Sequence, residues 1–206
     1  NPRIIVPYIT YVLIFINILV FIIQSIYSVK ELYSLSNLYN IFAFTPAKFK
    51  ITTVFTYMFL HGSFTHLTSN LWFLWLFGNN VENGLGHKKF LAFFILSGIG
   101  GAIGQYIINP NSEVPMVGAS GAIAGILGAY YIMSPNAQIH IVIFFIFITK
   151  VKMSAKYVIG FWFITQLSNG FTNLQFINNN IAWFAHIGGF IVGITSFKIL
   201  KKIRIE

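Results

Sequence analysis

Runs of mostly apolar residues, parted by short polar stretches that hold nearly all the charge, constrain this chain more than any other feature. A helix rises about 1.5 Å per residue, so about 20 apolar residues carry it across the hydrocarbon of a bilayer. Runs near or somewhat below that length are read at Val6 to Tyr27, Phe64 to Val81, Phe90 to Ile108, Val117 to Met133, Ala155 to Leu167 and Ile181 to Leu200. Backbone in lipid has no water to bond, so such runs are expected to be helical. Charged residues make up 8% of the sequence, where a soluble domain has about 25%. The expectation is an all-α, multi-pass integral membrane protein. Residues 1–206 form one domain, a bundle of six transmembrane helices, and no cleavable signal peptide is expected at its start.

A further run, IHIVIFFIFI at residues 139–148, is too short to span as a helix and is rich in β-branched and aromatic residues. It is read as an extended segment, interfacial or partly buried. The charges favour six spans over seven. With the N-terminus inside, the inner segments hold Arg3, Lys88, Lys89, Lys150, Lys152, Lys156 and the basic cluster from Lys198 to Arg204, while the outer loops hold Lys30, Lys48 and Lys50. That is the positive-inside pattern, and it puts both termini on the cytoplasmic side. The loop from Ser28 to Thr53 reads as amphipathic and is expected to lie on the membrane surface. A net charge of +9 split into such groups gives no continuous basic face, so the expected partner is the lipid bilayer and not nucleic acid.

The chain has no cysteine, which excludes disulfides and thiolate chemistry. Its four acidic residues are Glu31, Glu82, Glu113 and Glu206, with no aspartate. Aspartate dyads are thereby excluded and a carboxylate-rich metal site is disfavoured. No metal and no cofactor is expected. Of the remaining polar residues, His87 is read as an inside-loop residue, and Glu82 as a local cap or pair.

Polar groups at membrane depth are costly and usually functional. The fourth span opens with GASGAIAG, placing Ser120 in its first turn, and the sixth opens with AWFAHIGGFIVG, placing His186 about one and a half turns in. With six spans both lie at similar depth near the outer side; with seven they could not meet. Gly121, Gly125 and Gly128 line one helix, and Ala185, Gly189 and Gly193 recur on the other, so the two backbones can approach closely. Close packing would put the Ser120 hydroxyl beside an imidazole base, as a weak nucleophile requires. With no acid nearby in sequence, the expectation is a Ser–His dyad.

The second span begins HGSFTHLTSN, residues 61–70. His66 and Asn70 stand four apart, on one helix face, and both can donate hydrogen bonds. With the free N–H groups at the start of the fourth helix, those of Ser120 and Gly118, they would form an oxyanion hole, where one donor is worth about 10²–10³ in rate. Thr65, Thr68 and Ser69 would keep water in the cavity. Each residue also has a plainer reading: Ser120 and the two histidines as packing or structural hydrogen-bonding groups, and His66 with Asn70 as a tie between helices. His61 fits either a loop anchor or an assistant at the site.

These motifs together resemble the rhomboid intramembrane serine proteases across nearly the whole chain. GASG matches the family's nucleophile motif, AHIGGFIVG its AHxxGxxxG motif, and HGSFTHLTSN its helix-two motif; GNNVENGLG resembles the segment that closes helix two, with a structural Glu82. The resemblance implies a rhomboid-like bundle, Ser120 as nucleophile, His186 as base, and His66 and Asn70 as oxyanion-stabilising residues. It implies transmembrane segments of other membrane proteins as substrates, cut near their outer ends, and an active site opening to the outer side. The fifth span and the loop at 169–180 resemble the lateral gate and cap, with Phe161, Trp162 and Phe163 as substrate-binding candidates. Two departures stand out. Residues 28–60 lack the Trp–Arg pair of some members, and Ala124 replaces an aromatic that in some members packs on the histidine, so His186 must be held another way. The alternatives are an inactive rhomboid-like protein that binds transmembrane helices and a histidine-based transporter. Rich usage of Ile, Asn, Lys and Phe points to an AT-rich, bacterial genome and hence the bacterial inner membrane. No feature sets an oligomeric state.

Overall fold

The computed structural model of the chain describes residues 5–29, 35–144, 148–172 and 181–203. Helix α1 covers Tyr8–Val29 and the short α2 covers Leu35–Phe42. Helix α3 (Phe64–Phe73) runs through a π turn at Leu74–Gly78 into α4 (Asn79–Leu85). Helices α5 (His87–Ile108) and α6 (Ser120–Met133) follow. Strands β1 (Gln138–Phe144) and β2 (Ile148–Ser154) form an antiparallel pair with His140 opposite Lys152. Helices α7 (Ala155–Thr172) and α8 (Trp183–Lys202) complete the described chain. The chain is mostly helical, as expected, and the hairpin uses the β-branched run anticipated to be extended; residues 145–147 of that run lie outside the described residues.

Among the described residues three helical segments are long and apolar enough to cross a bilayer: Tyr8–Tyr27, His87–Ile108 and Trp183–Lys202; Ser120–Met133 is apolar but shorter. Helix α6 is the hub. Every residue from Gly121 to Tyr130 is buried, as befits a helix that is apolar all round. It packs on α5 and α8, which also pack on each other.

Glycine sets the spacing of these three helices. A Cβ built on Gly189 would stand 2.0 Å from the Gly121 carbonyl oxygen, and one on Gly193 would stand 2.3 Å from Gly125 Cα. On the other flank of α8, a Cβ on Gly188 would stand 2.4 Å from the Gly100 carbonyl oxygen. Backbone touches backbone at each point, so even a methyl group would push the helices apart. The stripes on the fourth and sixth spans thus face each other, and α5 adds a third.

The connection between α2 and α3 departs from the surface loop expected. Helix α2 is exposed on several residues, but Ala43, Phe44 and Thr45 are buried and Tyr57 is nearly inaccessible. Phe44 and Met116 exchange backbone hydrogen bonds of 3.1 and 2.8 Å, and the Tyr57 hydroxyl donates to the Gly98 carbonyl at 2.6 Å. This segment therefore plugs into the bundle beside the start of α6.

At the other end, Glu82 is fully buried and caps α1 at residues 72 and 73 positions away in sequence. Its carboxyl accepts from the Ile9 and Thr10 N–H groups at 2.9 and 2.8 Å and from the Thr10 hydroxyl at 2.7 Å. Free N–H groups at a helix start favour such an acceptor. The sequence predicts an inside loop at His87. Instead it opens α5, with Nδ1 2.6 Å from Glu82 Oε1, because Gly86 at φ 77° turns the chain directly from α4 into α5.

Glu82→Ala removes these partners at once and is expected to cost about 2–4 kcal/mol, seen as a lower thermal unfolding midpoint in detergent. Gly189→Ala is expected to cost about 1–3 kcal/mol by overpacking. Gly160→Ala, whose methyl would meet only Tyr131 Cε2 at 3.8 Å, should instead hold or raise the midpoint, since alanine is the better helix former.

Candidate active site

Ser120 stands at the first residue of α6 and His186 in the first turns of α8. Where these helices touch, Ser120 Oγ lies 3.0 Å from His186 Nε2. Two residues 66 apart in sequence are joined because Gly121 and Gly189, their near neighbours, meet backbone to backbone. This distance lets the imidazole take the hydroxyl proton directly.

The pair lines a cavity of about 410 Å³ together with His66, Ser69, Asn70, Phe73, Val117, Ile123, Ala124, Leu127, Trp162, Ile181 and Ala182. Its lining mixes polar side chains with apolar ones, as a site that must hold both an amide and a side chain requires. The Ser63 hydroxyl oxygen accepts from the His66 N–H at 3.1 Å and caps α3, fixing where that helix starts. Asn70 is buried and donates one amide hydrogen to the His66 carbonyl at 2.8 Å, leaving its second for the cavity. Of the three small polar residues expected to hold water, Ser69 lines the cavity, but its hydroxyl donates to the His66 carbonyl at 2.9 Å, and the Thr68 hydroxyl likewise turns back to the Phe64 and Thr65 carbonyls.

Gly118 requires a correction. Its N–H is engaged, donating to the Tyr57 carbonyl at 2.9 Å, so it is not an oxyanion donor in this arrangement. What the site needs from it is conformation and space. Its φ is 117°, and a Cβ there would stand 2.7 Å from His66 Nε2. The unused donors at the start of α6 are then the N–H groups of the first turn itself.

His61 is buried, and its ring stands edge-on to His66 with centroids 5.1 Å apart. The Gln24 side chain brackets its backbone, accepting from the His61 N–H and donating to the His61 carbonyl at 3.1 Å each. The histidine thus ties the start of the motif to α1 and backs His66.

Of the three aromatic candidates on α7, Trp162 lines the cavity, with its ring 6.1 Å from that of His186. Phe161 faces outward, 70% exposed, and Phe163 stacks on Phe190 of α8 at 4.2 Å, so neither lines the cavity. Most of the 169–180 cap segment, residues 173–180, lies outside the described residues. One contact was not anticipated: Gln166 on α7 places Oε1 2.8 Å from His186 Nδ1. Its signal in the sequence was a lone amide amid FWFITQL, a polar group in an apolar run. Among the described residues no cluster of three or more His, Cys, Asp or Glu is placed to hold a metal ion.

The class of protein defined by this bundle and cavity matches the comparison with known families. The Rhomboid domain matches residues 48–202, and the chain belongs to the rhomboid family. It is an integral membrane protein by that membership and by its apolar helices. Among its relatives, the rhomboid protein YdcA of Bacillus subtilis is 35% identical over 71% of this chain and 66% of its own length. RHOMBOID-like protein 5 of Arabidopsis thaliana is 32% identical over 66% of this chain and 40% of its own. Rhomboid protease GluP of Bacillus subtilis is 33% identical over 65% of this chain and 23% of its own. The matches thus span less than two-thirds of each of these relatives. The rhomboid family includes intramembrane serine proteases as well as inactive members.

Gly118→Ala is expected to lower the thermal midpoint in detergent, because the left-handed backbone costs an alanine about 1–2 kcal/mol and the methyl displaces His66. Gly62→Ala, whose methyl would meet nothing nearer than Val117 Cγ2 at 4.0 Å, is the control expected to leave it unchanged.

Proposed function

We propose that this chain is an intramembrane serine endopeptidase that cuts transmembrane segments of other membrane proteins. The observation that carries the reading is the 3.0 Å contact of Ser120 Oγ with His186 Nε2 inside a cavity that also holds His66 and Asn70. Ser120 attacks the scissile carbonyl carbon as His186 takes its proton. The carbonyl oxygen becomes an oxyanion, which accepts from the free Asn70 amide hydrogen, the His66 ring and the N–H groups at the start of α6. Collapse breaks the C–N bond, and His186 returns the proton to the leaving amine. Water, deprotonated by the same base, then attacks the acyl-enzyme and frees Ser120. No step calls for a metal or cofactor.

The apolar part of the cavity, with Ile123, Ala124, Leu127 and Phe73, suits a small apolar side chain of the substrate. A substrate helix must unwind locally to present its carbonyl, so glycine or proline near the cut should favour cleavage. In this reading six helices span the bilayer: α1, α3 continued into α4, and α5 to α8. Both termini face the cytoplasm and the cavity faces the outer side of a bacterial inner membrane, in keeping with the basic residues of the hairpin and of the end of α8.

A fluorophosphonate probe tests the assignment. Wild-type protein is expected to label and to cleave a transmembrane substrate in detergent or vesicles, with Ser120→Ala and His186→Ala each reduced by about 10³-fold or more. Equal labelling of all three would remove the dyad. Labelling-negative wild type that still co-purifies transmembrane segments would favour an inactive, binding member of the family.

A further inference from the structure

We infer that Gln166 is a positioning residue of this site: its amide oxygen fixes the tautomer and orientation of His186 that make it a base. The inference rests on the dyad reading above and adds a third member to it. The orientation of the amide follows from its neighbours. Gln166 Nε2 lies 3.2 Å from the Trp162 carbonyl, which can only accept, so the NH₂ end must face it. The same end lies 3.1 Å from Thr165 Oγ1, whose own hydrogen goes to the Trp162 carbonyl at 2.6 Å. Oε1 is thereby turned toward His186 Nδ1, 2.8 Å away.

An amide oxygen cannot donate, so Nδ1 carries the ring hydrogen. Nε2 then presents its lone pair to the Ser120 hydroxyl at 3.0 Å, which is the tautomer a general base needs. The opposite tautomer would set lone pairs of Nδ1 and Oε1 against each other and aim an N–H at the serine. Gln166 is 5% exposed, so little water competes for its hydrogen bond. Ala124 leaves no ring from α6 to pack on His186; Trp162 and Trp183 flank it instead, with ring centroids 6.1 and 6.2 Å away. Two rings confine the imidazole, and one amide chooses which nitrogen is protonated. His66, across the cavity, is the other titratable ring lining it. Because α7 carries the acceptor, the tautomer is held only while α7 packs against α8.

The amide is neutral and cannot stabilise the imidazolium as a carboxylate does, so its loss should cost less than the roughly 10⁴ seen when the acid of a triad is replaced. Gln166→Met keeps the length without a comparable acceptor, and Gln166→Asn withdraws the acceptor by one methylene. Both are expected to lower kcat on a transmembrane peptide substrate about 10²-fold, with KM within about twofold. Gln166→Glu, which restores an acceptor, should recover at least about a tenth of the wild-type kcat. Histidine-¹⁵N spectra of Ser120→Ala, with and without Gln166→Met and assigned by loss of the His186 signal in His186→Ala, supply a readout independent of turnover. The Nδ1–H form is expected with Gln166 and a mixture of tautomers without it. Wild-type kcat in the Met and Asn variants, or an unchanged tautomer when Gln166 is lost, would overturn the inference. A wild type that neither labels nor cleaves would overturn the protease reading, and the spectra would still decide the role of Gln166.

Discussion

The backbone contact between α6 and α8 is the constraint from which the rest of the structure follows. Gly189 meets the Gly121 carbonyl and Gly193 meets Gly125, with no side chain between them. Lipid tails are as apolar as leucine, so such helices gain little from hiding apolar surface from one another. They are held by close contact, which small residues permit. Within one turn of these contacts the same two helices carry Ser120 and His186. In the proposed reading a misplacement of about 1 Å between nucleophile and base would cost about 10²-fold in rate, so the glycines that fix helix spacing would also fix the chemistry.

Two polar clamps hold the ends of this packed centre. On the Glu82 side, a single carboxyl group takes the orphan N–H groups of α1 and faces His87 at the start of α5, joining three elements. On the Ser120 side, the segment before α3 holds the approach to α6. Phe44 bridges Met116, and the Tyr57 carbonyl takes the Gly118 N–H. Both clamps satisfy backbone groups at helix termini, where apolar surroundings would otherwise leave them unpaired. Gly118 thus serves the site through its shape: its missing side chain makes room for His66.

Much of this was legible in the sequence. The runs of apolar residues placed the long helices to within a few residues, because their length and composition are local properties. The stripes of glycine and alanine showed which faces could come close, and the spacing of His66 and Asn70 placed them on one face. The class of the 139–148 run was also readable, since β-branched residues too few to span leave extension as the remaining choice; its pairing with Ile148–Ser154 was not. An amphipathic pattern such as that of residues 28–53 suits a membrane surface and a protein interior alike. The tertiary structure leaves most of α2 exposed and takes Phe44 into the interior. His87 looked like a loop residue because nothing local announces that Gly86 joins two helices without a gap.

The sequence by itself determined that the chain belongs in a membrane, which segments are helical, and which residue types its chemistry can draw upon. These follow from hydropathy, helix length and an inventory without cysteine or aspartate. Only the tertiary structure decided who meets whom. It paired Glu82 with Thr10, turned the Gly118 N–H to Tyr57, and brought Gln166 to His186. Each of these is a hydrogen bond between groups at least 20 positions apart. Its partner is set by where a whole helix comes to rest, and neither residue carries a mark of the other in its own neighbourhood.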